Sequence, residues 1–365
     1  MNIGFDAKRL FHNETGLGNY SRTLVRNLLQ YYPDNQYHLY TPTLSNNGLS
    51  NYIISHDNVH TTTSDGLQEE HWRSFGIKKS INRDNVRIYH GLSHELPRNN
   101  DKLTCRKVVT IHDLIFKRHP SFFPLTDRAI YELKCRHAIK TADIIVAISE
   151  NTKRDIVEFY KINPDKIKVV YQSCEPIFFN QETENTLDLP QKYNLCVGSI
   201  EKRKNQITLL HAYAQLPSSM QIPLLLVGKG KKYMKEVRSL IETLGLRKIV
   251  KIMTNVPSYD LPELYRRAHL FIYPSLYEGF GLPVAEAMLC GTPVITSNNS
   301  SLTEAGGPMT QYVNPQSMVE LCNAITMLTK DAEMRTKMIE DGRNYALHHF
   351  SAQATTEKMM NVYRS

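Results

Sequence analysis

Short, continuously apolar runs rich in β-branched residues recur along this chain, each separated from the next by a helix-like segment. In the N-terminal half they are Ile3–Phe5, Tyr37–Tyr40, Val86–Tyr89, Val108–Ile111, Ile144–Ile148 and Ile167–Tyr171. In the C-terminal half they are Leu195–Val197, Leu224–Val227, Ile249–Met253, Leu270–Tyr273 and Val294–Thr296. Runs that do not alternate polar with apolar suit parallel strands covered on both faces. Helical periodicity fills the gaps, as at Tyr20–Tyr31, Arg128–Thr141, Ile207–Ala214, Met234–Leu244 and Leu261–Ala268. Such strand–helix–strand repetition predicts doubly wound α/β sheets. The rhythm breaks at Ser173–Lys192, a polar stretch with two prolines and no sustained periodicity, which reads as a connection between two lobes. The expectation is a domain over 1–173, a second over 190–345, and a terminal segment over 346–365 whose helix opens at Ser351.

Other classes of chain are set aside on composition. The six cysteines are scattered with no CxxC pair, so they read as reduced thiols of a cytosolic protein. The strand-like run begins at the N-terminus, so no leader is expected. No apolar stretch approaches the roughly 20 residues of a spanning helix. The net charge is +8, but the basic residues are dispersed without a base-stacking platform, which argues against nucleic acid as a partner.

In open α/β sheets ligands sit beyond the carboxyl ends of the strands, so the loops after strands are where chemistry is sought. After Leu270–Tyr273 comes PSLYEGFGLPVAEAMLCGTPV. Gly279 and Gly281 let the backbone approach a ligand, and Leu282 and Pro283 open a helix. The amides around Phe280–Leu282 then form an anion site at a helix N-terminus. Glu278 before the glycine turn and Glu286 in the helix's first turn or so would face one cleft, where carboxylates suit the paired hydroxyls of a sugar ring. After Leu195–Val197 comes a basic turn, Gly198–Ser199–Ile200–Glu201–Lys202–Arg203–Lys204–Asn205, and after Leu224–Val227 the glycine loop Gly228–Lys229–Gly230.

The stretch from Glu278 through GFGLPVA to Glu286 and on through AMLCGTPV resembles the signature of glycosyltransferase family 4. The resemblance implies the GT-B fold, with two facing Rossmann-like domains, the first (1–173) taking the acceptor and the second (190–345) the nucleotide-sugar, and a C-terminal helix (346–365) crossing back to the first. It implies that Glu286 holds the ribose of a nucleotide-sugar, and that Glu278 and the Phe280–Gly281–Leu282 backbone contact the transferred sugar and the diphosphate. Lys204 fills the position of the family's diphosphate-gripping lysine. Ser199 stands where many members have an arginine, and Arg203 is close enough to supply part of that charge, which the departing diphosphate needs. Gly228 resembles the family's next glycine loop, and Met253–Val256 sits where the family frames the nucleotide base.

In the first lobe, Gly16–Leu17–Gly18 follows the first strand, but Ser21 replaces the third glycine of a dinucleotide fingerprint, which argues against a nicotinamide cofactor. The resemblance turns this loop toward the donor phosphates and the acceptor. His112 and Asp113 end a strand. The family has a histidine there that contacts the donor sugar; its side chain could also position the acceptor, and Asp113 could orient its ring or receive the acceptor proton. His90-GLS-His94-Glu95 lacks zinc-ligand spacing and reads as lining the cleft. The helix around Arg128–Thr141 carries Arg128, Lys134, Arg136 and Lys140 after Phe122 and Phe123. It is either a solvated helix or a basic surface for anionic lipid heads.

The combined expectation is a retaining, metal-independent hexosyltransferase with no cofactor beyond a GDP- or UDP-linked donor, GDP-mannose favoured. The acceptor is a saccharide or a lipid-linked saccharide, and the protein is cytoplasmic with peripheral contact to the inner leaflet. Glu278, Lys204, His112 and Arg203 form the catalytic set. Glu286, Phe280, Gly281, Leu282, Gly16, Gly18, Gly198, Ser199, Gly228 and Val256 form the donor-binding set, and no metal site is expected. A nucleotide-sugar epimerase and a non-catalytic sugar-nucleotide binder stay open as alternatives.

Overall fold

The computed structural model describes every residue except 46–47, 65, 67–68, 99 and 181–185. It divides into two compact units, Met1–Ser173 with Ala352–Ser365, and Cys174–Ser351. Among the described residues each unit carries one all-parallel sheet.

In the first unit the strands are β1 (Asn2–Asp6), β2 (Gln36–Tyr40), β3 (Val59–Thr62), β4 (Ile88–Gly91), β5 (Arg106–Ile111), β6 (Ile144–Ala147) and β7 (Ile167–Val169), in spatial order 3-2-1-4-5-6-7. One face is covered by the helix Gly16–Tyr31 and the final helix Ala352–Arg364, which adds Met359, Met360, Val362 and Tyr363 to the core. The other face packs on Trp72, Ile77, Ile81, Cys135, Ile139 and Ile156. The final helix is also held by polar contacts. His90 Nδ1 lies 2.7 Å from Tyr363 Oη, and His90 Nε2 lies 2.8 Å from Thr110 Oγ1. His90 is fully buried and its pKa is pushed down to about 3 by burial, with His112 adding to the effect. The expectation that His90 lines a cleft is therefore corrected: it joins two strands to a helix in the core.

In the second unit the strands are β8 (Asn194–Val197), β9 (Leu224–Val227), β10 (Val250–Met253), β11 (Leu270–Tyr273), β12 (Val294–Ser297) and β13 (Gln311–Val313), in order 10-9-8-11-12-13. β3 and β13 escaped the sequence reading. β3 (VHTT) is partly or fully exposed at each position and β13 is only three residues (QYV), so neither carries a continuous apolar run.

The polar stretch Ser173–Lys192 is not a free connection over its described part. Phe178 is buried edge-on to Tyr265, 5.9 Å between ring centroids. Thr186 and Leu187 donate to the Glu263 carboxylate at 2.8–3.2 Å. Residues 181–185 of that expectation lie outside the described residues. Among the described residues no helix is long and apolar enough to cross a membrane.

Candidate functional site

In a parallel sheet the loops at adjacent strand ends part company where the chain order reverses, leaving a crevice. In the second unit that point lies between β8 and β11, and the loops leaving these two strands carry Arg203, Lys204 and Glu278.

The basic turn is a single 3-10 turn, Lys202–Lys204, stopped by Asn205 in the left-handed region at φ 61°, a conformation that asparagine tolerates. Asn205 Nδ2 donates to the carbonyls of Pro274 (3.0 Å) and Pro315 (2.7 Å), tying the turn to the end of β11. The Leu276 amide closes the link by donating to Arg203 O at 2.8 Å. The two loops are thus sewn together before any charged side chain is considered.

Their charges then converge on one carboxylate. Lys204 Nζ donates to Glu278 Oε1 at 2.6 Å and also to Tyr273 Oη. Arg203 Nη1 pairs with Glu278 Oε2, and its Nη2 lies 2.7 Å from Glu201 Oε1. Tyr273 Oη and Ser275 Oγ donate to Glu278 Oε1 at 3.0 and 2.6 Å. Burial pushes the Glu278 pKa upward, but the Arg203 and Lys204 charges outweigh it and hold the carboxyl at about 2. The carboxylate is therefore ionised at any physiological pH, buried and fully ligated.

The loop after Glu278 is fixed from behind by the segment following β12. Ser301 Oγ donates to the carbonyls of Glu278 and Phe280 at 2.9 and 2.8 Å, Asn299 Nδ2 to Leu276 O at 3.0 Å, and Ser297 Oγ to Ser275 O at 2.7 Å. Phe280 buries its ring against Phe350, so its side chain anchors the loop. Gly281 caps the helix Leu282–Leu289 at φ 113°, and a Cβ there would stand 2.8 Å from Leu302 Cδ2. Of the loop's stabilisers, Tyr273, Ser275 and the Ser297–Ser301 cluster were missed from sequence. The run SNNSS was a visible turn signal, but nothing local said which loop it would brace.

Glu286 lies one helical stretch further on and is only partly buried. It accepts a hydrogen bond from Tyr265 Oη at 2.9 Å. Burial raises its pKa to about 7, with the Glu175 charge adding to the rise against the Tyr265 bond. The two glutamates thus differ in state: Glu278 is paired with cations, whereas Glu286 faces a phenol and another carboxyl group.

The glycine loops of β8 and β9 are pressed together. A Cβ on Gly228 would fall 1.9 Å from the Gly198 carbonyl oxygen, and Ile200 N donates to Lys229 O at 2.7 Å. Ser199 is exposed beside them, and Val256 lies, partly exposed, in the loop after β10.

In the first unit Gly16 begins the helix Gly16–Tyr31, and Gly18 lies buried within its first turn. Asn13 Oδ1 accepts from the Thr15 and Gly18 amides at 2.9 and 3.1 Å. The buried Arg22 donates to the carbonyls of Leu10 and Asn13 at 2.9 and 2.8 Å.

His112 is buried at the end of β5. Its Nε2 donates to Leu92 O at 2.8 Å, which leaves Nδ1 to accept from Gln172 Nε2 at 3.3 Å. Burial lowers its pKa to about 3, with His94 adding to the effect, so the ring is neutral. Both ring nitrogens are thus held by Leu92 and by Gln172, which the sequence did not single out, while Asp113 Oδ1 accepts the Ile115 amide at 3.0 Å. Among the described residues no group of three or more histidine, cysteine or acidic side chains is placed to hold a metal ion.

Comparison with known proteins bears on the whole chain. Residues 15–175 match the model of Glycosyltransferase Family 4, and residues 178–345 match that of Glycosyl transferases group 1. O-antigen chain mannosyltransferase B of Escherichia coli is 32% identical over 287 residues, covering 76% of this chain and 74% of that protein. The serotype-specific mannosyltransferase WbdA of Escherichia coli is 32% identical over 243 residues, which are 60% of this chain but 29% of WbdA. The structure of Anabaena HepE in complex with UDP and glucose superposes with a TM-score of 0.77 at 18% identity, covering 100% of this chain and 99% of HepE.

Proposed function

The chain belongs to glycosyltransferase family 4 and has the GT-B fold, and from this premise we propose that it is a retaining, metal-independent mannosyltransferase. In this reading it takes mannose from GDP-mannose to a saccharide or lipid-linked saccharide acceptor and needs no cofactor beyond the donor. The observation that supports the reading is the Arg203–Glu278–Lys204 set at the β8/β11 reversal, with Glu278 and Lys204 buried and Arg203 partly so.

As the bond from the sugar's C1 to the diphosphate breaks, negative charge grows on the leaving oxygen. Cations already fixed in a water-poor site stabilise that charge without reorganising. Arg203 and Lys204 take this role, with the backbone around Phe280, Gly281 and Leu282. They exchange part of their contact with Glu278 for the diphosphate, while Glu278 accepts from the sugar's hydroxyls. The acceptor oxygen bonds C1 on the face the diphosphate leaves, and the acceptor's proton passes to the departing phosphate oxygen. Configuration is therefore retained.

Glu286 receives the ribose hydroxyls. Gly198, Ser199 and Gly228 leave room for the diphosphate, Val256 borders the base, and Gly16 and Gly18 face the donor phosphates. His112 contacts the sugar once a ring nitrogen exchanges its present partner. We extend the reading to a cytoplasmic protein in peripheral contact with the inner leaflet through the helix Leu125–Thr141. Its exposed Leu125, Ile130 and Leu133 accompany Arg136 and Lys140.

HepE was solved with UDP, so UDP-sugars belong beside GDP-mannose in the test. Thermal stabilisation of the chain by a nucleotide-sugar panel is expected to be largest with GDP-mannose. Transfer is expected to persist in EDTA and to give an α-linked product by NMR. A β-linked product, loss of turnover in EDTA, or greater stabilisation by a UDP-sugar refutes the corresponding part.

A further inference from the structure

Tyr273, the last residue of β11, stands at the centre of the cation–carboxylate set, and none of the roles assigned so far uses it. Its side chain is buried, as are Lys204 and Glu278, which it touches. Three strands fix it. The ring stacks on Phe271, two positions back on β11, at 5.7 Å between centroids. Thr296 Oγ1 on β12 donates to the Tyr273 carbonyl at 2.7 Å. Gly198, just after β8, borders it, since a Cβ there would stand 3.6 Å from Tyr273 Cε2 and 3.7 Å from Lys204 Cε.

The Tyr273 hydroxyl links the two charges. Its Oη accepts from Lys204 Nζ and donates to Glu278 Oε1 at 3.0 Å, and the ammonium lies 4.9 Å from the ring centroid. Burial, with the Glu278 charge adding to it, raises the phenol's pKa well above its ordinary value, so the hydroxyl keeps the proton it donates. An ammonium has three N–H donors. In Lys204 one goes to Glu278 Oε1 and one to Tyr273 Oη, which leaves the third for a ligand. The carboxylate is divided just as unequally. Oε1 accepts from Lys204, Tyr273 and Ser275, whereas Oε2 accepts from Arg203. Oε1 is therefore filled, and Oε2 is the oxygen that can turn to a sugar hydroxyl.

This division matters because the partners of Lys204 change during the reaction. As the ammonium moves toward a departing diphosphate, its bond to Glu278 loosens, and a buried cation needs another fixed acceptor to stay aimed. We propose that Tyr273 is a positioning residue of the transfer. Its hydroxyl holds the Lys204 ammonium while an N–H passes from Glu278 to the diphosphate, and it holds Oε1 so that Oε2 meets the sugar. The inference rests on the transferase reading above and adds to it a residue that touches neither the sugar nor the phosphates.

Removing the hydroxyl has a consequence that a purely structural tyrosine lacks. Burial lowers the Lys204 pKa and Arg203 adds to the fall, while Glu278 and Glu201 oppose it. A hydrogen bond accepted from the ammonium favours its charged form, so losing Oη lowers this pKa further. Of the groups that face Lys204, Glu278 is held at about 2, Arg203 stays charged, and burial pushes the Cys196 thiol on β8 up to about 12.

The test compares the whole chain with Tyr273→Phe, which keeps the ring and its stack on Phe271 but lacks the oxygen. The probe is GDP or UDP, whichever raises the wild type's melting temperature more. Titration calorimetry gives its affinity for both chains from pH 7 to pH 9.5. At pH 7 the two are expected to agree within about threefold. Toward pH 9.5 the variant is expected to fall to about one tenth of the wild-type affinity, its alkaline limb displaced by about one pH unit. The nucleotide's own ionisations are shared by both chains and cancel in the ratio. With the matching donor, GDP-mannose or UDP-glucose, release of the nucleotide at pH 7.5 is expected to slow about tenfold in kcat while KM stays within about threefold. Should Tyr273→Phe fail to fold, judged by circular dichroism, Tyr273→Met carries the same expectations. An affinity ratio that is flat across this range, or a loss confined to KM, overturns the inference by leaving the hydroxyl only a structural part. A wild type that neither nucleotide stabilises fails the transferase reading and this inference with it, whereas one that binds while the ratio stays flat fails this inference alone.

Discussion

Replacing Glu278 by glutamine leaves Arg203 and Lys204 beside an uncharged group in a site that water barely reaches. In the wild type the carboxyl's pKa is lowered from 4.5 to about 2, the two cations outweighing burial. A displacement of this size, at about 1.4 kcal/mol per pH unit, corresponds to about 3 kcal/mol of folded-state stabilisation at neutral pH. The same order follows from breaking a buried ion pair on one side, about 3–5 kcal/mol. In a unit the size of Cys174–Ser351 this lowers the melting temperature by roughly 6–12 °C at pH 7. The pH dependence has a definite sign. Glu278's folded pKa lies below its unfolded one, so its contribution is complete above about 4.5 and is lost as pH falls toward 2. The gap between Glu278→Gln and wild type is therefore widest at pH 6–8 and closes progressively below about 4.5. Thermal and urea melts, followed by circular dichroism across this range, measure it. Equal midpoints at pH 7, or a deficit that does not shrink in acid, would show that the cations do not depend on this carboxylate.

Three further outcomes follow from the site. Lys204→Ala is expected to lower transfer by about 100-fold or more while far-ultraviolet dichroism stays unchanged, and turnover within a few-fold of wild type contradicts its role on the diphosphate. Glu286 has a folded pKa raised to about 7, so as an acid it costs the unliganded chain stability as pH rises from about 4.5 through 7. Glu286→Gln should accordingly melt higher than wild type at pH 8 and alike at pH 4, and the reverse order in differential scanning fluorimetry counts against the burial account. Gly228→Ala would force a methyl to 1.9 Å from a backbone carbonyl that cannot swing away. A loss of about 2–3 kcal/mol in urea unfolding is expected, and a neutral result would mean that the two strand-end loops are not in contact.

Interior strands were legible because burial on both faces leaves uninterrupted apolar runs: Leu224–Val227 and Leu270–Tyr273 coincide with β9 and β11 residue for residue. β3 and β13 were not: β3 is VHTT, with a single aliphatic residue, and β13 is only the three residues QYV, so neither holds a continuous apolar run. The Glu278–Glu286 spacing and the EKRKN turn were equally visible, but as two motifs 75 positions apart between Arg203 and Glu278. Nothing in either stretch shows that they share a carboxylate.

What the amino-acid order determined alone is the alternation of strands and helices, the glycine turns at strand ends, and the residue types gathered there. Each of these depends on neighbours a few positions away through local geometry. The pairing of Glu278 with both cations, the opposite protonation behaviour of Glu286, the neutral tautomer of His112 and the place of Tyr273 between Lys204 and Glu278 came only with the folded chain. Burial and Coulomb interactions act through space, and those distances exist only once the parallel sheets have brought remote loops to adjoining strand ends.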